Sequence, residues 1–525
     1  MIIRKILLLI LIAMALYGQL FKATEFDLIN ANRGYEGLAS NAASDILHVT
    51  DSLIFIATAN GLSVSQDGGN SFHSYYAAAV GIGKGGVSAM TALGNHIWIA
   101  TVFDSAGVEE VTGTGSGISH SADGGETWKH YSQMLDHPDS NIVRVFGQEI
   151  DALPVTVAID NITFDLVAHV NSSGDTLLWA ASFAGGTRVS KDFGQSWKRV
   201  ILPPDGQQYL NENSNLDFDY SPVDRSELGL KGNFNHESFS LLAYVDTIVV
   251  GTAAGINISE DCGKTWENFS AQNSAISGNF VVALHRAEDR TIYGGVLPAN
   301  GTGEYQSLVY SRYDSSGSRQ WKNDLVGTRI YNINSFENKI YVASKSGAWL
   351  SQDAWNWILL NHPQEEETGD ILFSDEIYAI APDFSGRIWL ATSDGMAMSA
   401  DDGISWNLYR KNLLFANEST AQISAYPNPF SPTRMNVYQN DGYVRLHCQF
   451  PASGTADIDI YDFSMMKVCG ITNTFPVNKG IKEFVWNGKN SLGDLVANAV
   501  YFVRLIHRGD DGKQSIGWTK IIILE

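Results

Sequence analysis

The chain has 525 residues, a net charge of −22 and three cysteines. Such acidity argues against a nucleic-acid backbone as partner, and so few cysteines in so long a chain exclude a disulfide-built scaffold. The length exceeds what one compact core takes, so two domains, or one repeat architecture with a smaller companion, are expected.

Arg4 and Lys5 are followed by the apolar run "ILLLILIAMAL" and then by small residues. This charged, apolar, cleavable order reads as a signal peptide over residues 1–18. The run falls short of the about 20 residues that span a bilayer, and no later stretch replaces it, so the mature chain is expected to lack a transmembrane segment. The predicted location is secreted or at the outer cell surface.

From about residue 40 the chain repeats itself. "SQDGGNSF" from Ser65, "SADGGETW" from Ser121, "SKDFGQSW" from Ser190, "SEDCGKTW" from Ser259 and "SADDGISW" from Ser399 share one pattern. Each follows a glycine four residues earlier (Gly61, Gly117, Gly186, Gly255, Gly395) and, before it, a short apolar strand such as "IFIAT" or "IWLAT". Two worn copies bring the count to seven, one around Gly347 with Ser351 and Asp353, the other around Ser311. Spacings of roughly 40 to 70 residues suit four-stranded propeller blades with insertions. The β-branched and aromatic strands exclude a helical repeat.

The repeated octet reads as a hairpin turn. Gly69, Gly125, Gly194, Gly263 and Gly403 supply positive φ without steric cost. Asp67, Asp123, Asp192, Asp261 and Asp401 can accept backbone N–H bonds from their own turn. Trp128, Trp197, Trp266 and Trp406 give each blade an apolar surface for its neighbour, with Phe72 in the first copy. The pattern Ser-x-Asp-x-Gly-x-Ser/Thr-Trp resembles the Asp-box, or bacterial neuraminidase repeat, of sialidase-like propellers and sortilin-type receptors. The resemblance implies a seven-bladed β-propeller over residues 24–412, with the boxes on the turns between third and fourth strands and a structural role for them.

Up-and-down connectivity sends the long insertions to the face opposite the boxes, where loops on a rigid scaffold bind ligands. The segment Phe103–Gly117 offers Asp104, Glu109 and Glu110 as a carboxylate group for acid/base work. The segment Pro203–Ser238 offers Asp217, Phe218, Asp219, Tyr220, Asp224, Arg225 and His236 for holding a sugar or peptide. Pro298–Gln306 adds Tyr305.

Sialidases hold the substrate carboxylate with three arginines, the first in an Arg-Ile-Pro tripeptide, and use a tyrosine nucleophile assisted by glutamate. Here Arg33 precedes the first box without that tripeptide, and Arg144, Arg188, Arg286, Arg329 and Arg387 stand in no motif that maps onto the triad. The expected function is therefore non-catalytic binding of a glycan or protein. The alternative is a glycoside hydrolase of the Asp-box propeller type, sialidase-like or xyloglucanase-like. The twelve histidines are scattered; no metal motif or phosphate loop is present, and no cofactor is expected.

Residues 413–424 read as a linker. "AYPNPFSPT" from Ala425 then stiffens the chain, and "VRLHCQF", "ADIDIYDF", "KEFVWNG", "VYFVRLI" and "TKIIILE" alternate as strands. Residues 425–525 resemble the FlgD-type Ig-like modules and the type A C-terminal sorting domains of type IX secretion cargo, through Tyr426–Phe430, Trp486, Gly488, Gly493, Val500 and Tyr501. Ala499 departs from the usual glycine, and Glu525 from a basic terminus. The resemblance implies a small β-sandwich and the secretion machinery as partner. Cys448 and Cys469 lie close enough in sequence to pair in an oxidising compartment.

Overall fold

The computed structural model describes residues 37–76, 81–106, 111–223, 232–299, 301–315, 317–366, 368–411, 415 and 419–525. Residues 1–18 lie outside these. The described chain is all β apart from a 3-10 turn at Phe234–His236. No helix among the described residues is long and apolar enough to cross a membrane. Contacts divide the chain into two units, residues 1–372 with 376–411, and 373–375 with 412–525.

In the first unit the alternating strands form seven antiparallel sheets among the described residues, six of four strands in chain order and one of five, besides a two-stranded ribbon at 142–151. The seven are sheet 1 (43–75), sheet 2 (86–132), sheet 3 (163–199), sheet 4 (238–269), sheet 5 (280–324), sheet 6 (330–359) and sheet 7 (379–409). The first strand of each sheet packs on the first strand of the next, and that of sheet 7 returns to that of sheet 1. A closed, propeller-like ring results.

Each junction between neighbouring sheets has its own buried apolar cluster. Phe55 meets Ile97 and Ile99 between sheets 1 and 2, Trp98 meets Leu178 between 2 and 3, and Trp179 meets Ile248 and Trp266 between 3 and 4. The series continues through sheets 5 and 6 to 7 and ends with Ile54, Ile56 and Phe72 against Trp389 and Ala391. Burying one such side chain contributes roughly 1.5–3 kcal/mol. Among the described residues no strand is exchanged between sheets 1 and 7, which come from the two ends of the repeat region. Closure rests on that last cluster, on the Leu38 N–H donating to the Arg410 carbonyl at 3.3 Å, and on the Lys411 N–H donating to Asn41 Oδ1 at 2.6 Å.

The boxes are the turns between third and fourth strands, and their side chains are consumed there. In all five strong copies the serine Oγ accepts the glycine N–H at 2.8 Å. The same hydroxyl donates to the aspartate Oδ1 at 2.7–2.8 Å. That Oδ1 also accepts the N–H of Ser71, Thr127, Ser196, Thr265 or Ser405 at 2.8–2.9 Å. Trp128, Trp197 and Trp266 donate their indole N–H to the box glycine carbonyl at 3.0–3.2 Å. The worn copy keeps Ser351 Oγ on Asp353 at 3.2 Å.

The box glycines do a second thing. Gly69 has φ +93°, and a Cβ there would lie 2.1 Å from the Trp389 ring of sheet 7. The corresponding Cβ on Gly125 would meet Phe55 of sheet 1 at 2.7 Å, and that on Gly263 would meet Trp179 of sheet 3 at 2.8 Å. Each of these turns thus seats on the preceding sheet.

The second unit contains a two-stranded ribbon, 437–438 with 441–442, and two larger sheets, one ordered 422–426, 444–450, 480–486, the other 467–477, 454–461, 500–509, 514–522. The larger sheets share one core, with Ile423, Leu446, Cys448 and Trp486 from the first and Ile458, Ile460, Val503, Leu505 and Ile521 from the second. The first strand, Gln422–Tyr426, begins inside the expected linker. Lys467–Val477 was not expected as a strand; its glycine, asparagine, threonines and proline disguise it. Cys448 and Cys469 are both free and buried, on different sheets, so the pairing suggested by their spacing is not made.

Candidate functional site

Six of the seven first strands carry a bulge near their start. The unpaired residues are Ser44, Ser88, Phe164, Phe239, Val282 and Tyr331. In sheet 7 the Tyr378 N–H donates to the Ala391 carbonyl at 2.8 Å, although Ala379 already pairs with Ala391. Opposite each bulge the second strand places a small residue, Ala57, Ala100, Ala181, Gly251, Gly295, Ala343 or Ala391. The hydroxyl residue after it closes the next turn: Thr58, Thr252, Ser344 and Thr392 donate to the carbonyls of Gly61, Gly255, Gly347 and Gly395 at 2.8–3.0 Å.

A bulge bends its strand and re-aims the extra side chain. Here all seven, Ser44, Ser88, Phe164, Phe239, Val282, Tyr331 and Tyr378, line one cavity of about 350 Å³. It lies where the first strands begin, the end of the ring opposite the boxes. One wall is apolar: the Phe164 and Phe239 rings lie 5.3 Å apart, and Phe239 meets Phe280 edge-on at 4.5 Å. The other wall is polar. The Tyr331 and Tyr378 hydroxyls each lie 3.2 Å from Glu376 Oε2, and the Arg329 guanidinium lies 5.2 Å from the Tyr331 ring centre.

Beside the bulges stand Asp45 and Asp165, which also line the cavity. Asp45 Oδ1 accepts the Ile46 N–H at 2.8 Å. Asp165 accepts the Leu166 N–H at 2.8 Å and, from sheet 4, the Leu241 N–H at 2.7 Å. Asn332 reaches sheet 7 in the same way, accepting the Ile380 N–H at 3.2 Å. Burial pushes the Asp45 carboxyl up to about 6. Burial, with a contribution from the Asp45 charge, pushes Asp165 up to about 7.

Of the residues expected on a ligand face, Asp104 lines this cavity, and burial raises its pKa. It stands not on a loop but on a lengthened hairpin, His96–Ala106 with Val111–Ser121, where it faces Gly113. Glu109, Glu110, Asp224 and Arg225 lie outside the described residues. Asp217, Asp219 and Tyr305 do not line the cavity.

Tyr220 and His236 correct the reading of residues 203–238. Both are 1% exposed. Their rings lie 4.9 Å apart, Tyr220 belongs to the core between sheets 3 and 4, and His236 Nε2 pairs with the Leu202 carbonyl at 3.1 Å. Burial lowers the His236 pKa to about 4. The segment also adds a fifth strand, Tyr209–Leu210, to the outer edge of sheet 4. Much of it therefore completes the fold.

Arg188 is spent as well, donating to both oxygens of Asp136 at 2.8 and 2.9 Å. Among the described residues no group of three or more His, Cys, Asp or Glu side chains is arranged to hold a metal.

No known family profile matches the chain, and no curated protein matches it. Among solved structures it is similar to the GH74 enzyme of Niastella koreensis, at 13% identity and TM-score 0.48 over 94% of this chain and 74% of that one. A YCF48 bound to D1 peptide is similar at 15% and 0.41, over 73% and 96%. PorZ, a surface component of the type-IX secretion system of Porphyromonas gingivalis, is similar at 14% and 0.27, over 92% and 75%.

Proposed function

We propose that this is an exported, seven-bladed Asp-box β-propeller protein that binds a ligand, without catalysis, in the cavity opposite the boxes. Residues 425–525 form an Ig-like sandwich that serves secretion or attachment at the outer surface. One observation carries the binding reading. The repeat puts like residues at like positions in its turns and strand ends, yet at the six bulges and the matching position of sheet 7 it puts Ser44, Ser88, Phe164, Phe239, Val282, Tyr331 and Tyr378. A purely architectural position would keep one residue type in every sheet. Unlike side chains converging on one cavity are what a single asymmetric ligand needs.

The test uses residues 19–525 with immobilised proteins, polysaccharides and sialylated glycans, following retention and released sugar together. Retention without release, abolished by Ser44→Trp, is expected. Retention indifferent to that plug removes the cavity from the function. Release of sugar favours the hydrolase reading, whose support is the pair of tyrosine hydroxyls on Glu376. Against it stands the state of the arginines: Arg188, Arg144 and Arg387 are paired with Asp136, Glu149 and Asp383. Deleting residues 412–525 should leave a folded ring that no longer reaches the cell surface; normal surface delivery would overturn the sorting role.

A further inference from the structure

Among the described residues four charged ones line the cavity, Asp45, Asp104, Asp165 and Arg329. Among the described residues none of the three aspartates has a Lys, Arg or His within ion-pairing distance. Elsewhere several of this chain's buried and half-buried aspartates pair with cations. Asp136 lies 2.8 Å from Arg188 and 2.6 Å from Arg199. Asp383 lies 2.6 Å from Arg387, and Asp459 lies 2.6 Å from Lys467 and 2.9 Å from Arg504. The electrostatic consequence separates the two groups. The cavity aspartates are raised by burial, whereas the paired ones are held down by their partners. Asp45 also has only one oxygen engaged. The buried acid Glu237 is likewise raised by burial, but it does not line the cavity.

An unpaired carboxylate in a protein recess is costly unless a counter-charge arrives. The cation missing from the chain is one a ligand can bring. The same cavity is lined by Phe164, Phe239 and Val282, a wall suited to methylene groups, with aromatic faces that favour a neighbouring cation. A volume of about 350 Å³ is at the small end for ligand pockets, which run about 300–1,000 Å³. That is room for one long side chain rather than for a run of sugars. A neutral glycan would leave the carboxylates uncompensated, whereas an acidic one would add like charge.

Resting on the reading of this cavity as the binding site, we propose that its ligand is a protein segment that inserts a lysine or arginine side chain, the charged head among Asp45, Asp104 and Asp165 and the stem along the phenylalanines.

The test titrates residues 19–525 with acetyl-Gly-Gly-X-Gly-Gly-amide peptides, X being Lys, Arg, Leu or Glu, and with a chito-oligosaccharide as a cationic glycan. Lys or Arg peptides should bind at least tenfold more tightly than Leu or Glu peptides. Asp45→Asn should weaken Lys-peptide binding tenfold or more while the variant keeps the wild-type circular dichroism. Equal binding of Lys and Leu peptides, no binding of any peptide, or indifference to Asp45→Asn overturns the inference. Tighter, Asp45-dependent binding of the chito-oligosaccharide overturns the choice of a protein ligand. Ser44→Trp tells the two levels apart. Ligand retention that is blocked by the plug but indifferent to Asp45→Asn defeats the cation and spares the site, whereas retention unaffected by the plug defeats the site itself.

Discussion

At the box end of the ring, Asp67 and Asp401 sit on the outside of turns, and the Ser71 and Ser405 hydroxyls and N–H groups hold their carboxyls at about 2. At the other end Asp45 and Asp165 sit in a recess, where burial raises them to about 6 and about 7. Both sets are aspartates in turns or bulges of the same repeat. The difference lies in what surrounds them: hydroxyl and N–H donors on an exposed turn in one place, apolar walls and a missing cation in the other. A residue's chemistry thus follows its local solvation and hydrogen bonding rather than its membership of a motif. The box end spends its polar groups on the fold; the cavity end keeps some in reserve.

The sharpest way to break this contrast is to attack the box end and ask whether ligand binding notices. Gly69→Ala forces a Cβ against Trp389 at a backbone angle that alanine resists. It acts at the one junction that closes the ring. A loss of about 3 kcal/mol or more is expected in urea unfolding, with unchanged affinity in the fraction that stays folded. An unmoved midpoint would show that closure does not depend on this seat.

Ser121→Ala removes the hydroxyl that both accepts from Gly125 and donates to Asp123. The serine is 1% exposed, so the orphaned Gly125 N–H finds no water, and a loss of roughly 1–3 kcal/mol is expected. The urea midpoint measures it. A loss of affinity without loss of stability would give the boxes a ligand role and remove the contrast between the two ends.

The two ends also differ in how far the sequence betrays them. The boxes, the glycine four residues before them and the small-then-hydroxyl strand ends recur because each copy solves the same local problem. Gly125 must approach Phe55, Thr58 must close its turn onto Gly61, and Ala57 must lie opposite a bulge. The sheets were legible for that reason. The bulge ring was not, since Ser44, Phe164 and Tyr331 have nothing in common but their position. The available signal was indirect: the small residue within each second strand marks the partner of the bulge. Asp104 entered the candidates because its connection is long, and it lines the cavity. Tyr220 and His236 were misread because aromatic and polar residues in a long connection look the same whether they meet a ligand or fill the gap between two sheets. The second unit showed its strands where hydrophobic alternation was clean, as in Val444–Phe450, and hid the polar one at Lys467–Val477.

The smallest expected effect is also the one with the most diagnostic sign. A carboxyl whose pKa rises on folding opposes the native state when ionised, so its cost is present above about pH 6 for Asp45 and fades as the pH falls toward its unfolded value near 4. The box aspartates run the other way. Their stabilisation is present above that unfolded value and is lost only as the pH falls through about 2. Between pH 8 and pH 5, then, the box end should be silent and the cavity end should stabilise the protein on acidification. Asp45→Asn keeps an acceptor for the Ile46 N–H and removes the charge. It should raise stability at pH 8 by about 1–2 kcal/mol, discounted for water in the recess, and by nothing at pH 4. Urea unfolding at the two pH values measures this. A variant that is more stable at pH 8 yet binds a basic peptide less well would mark Asp45 as a group kept for a ligand at a cost to the fold. One that is less stable at both pH values would make Asp45 part of the architecture, and the two ends of the ring would no longer differ.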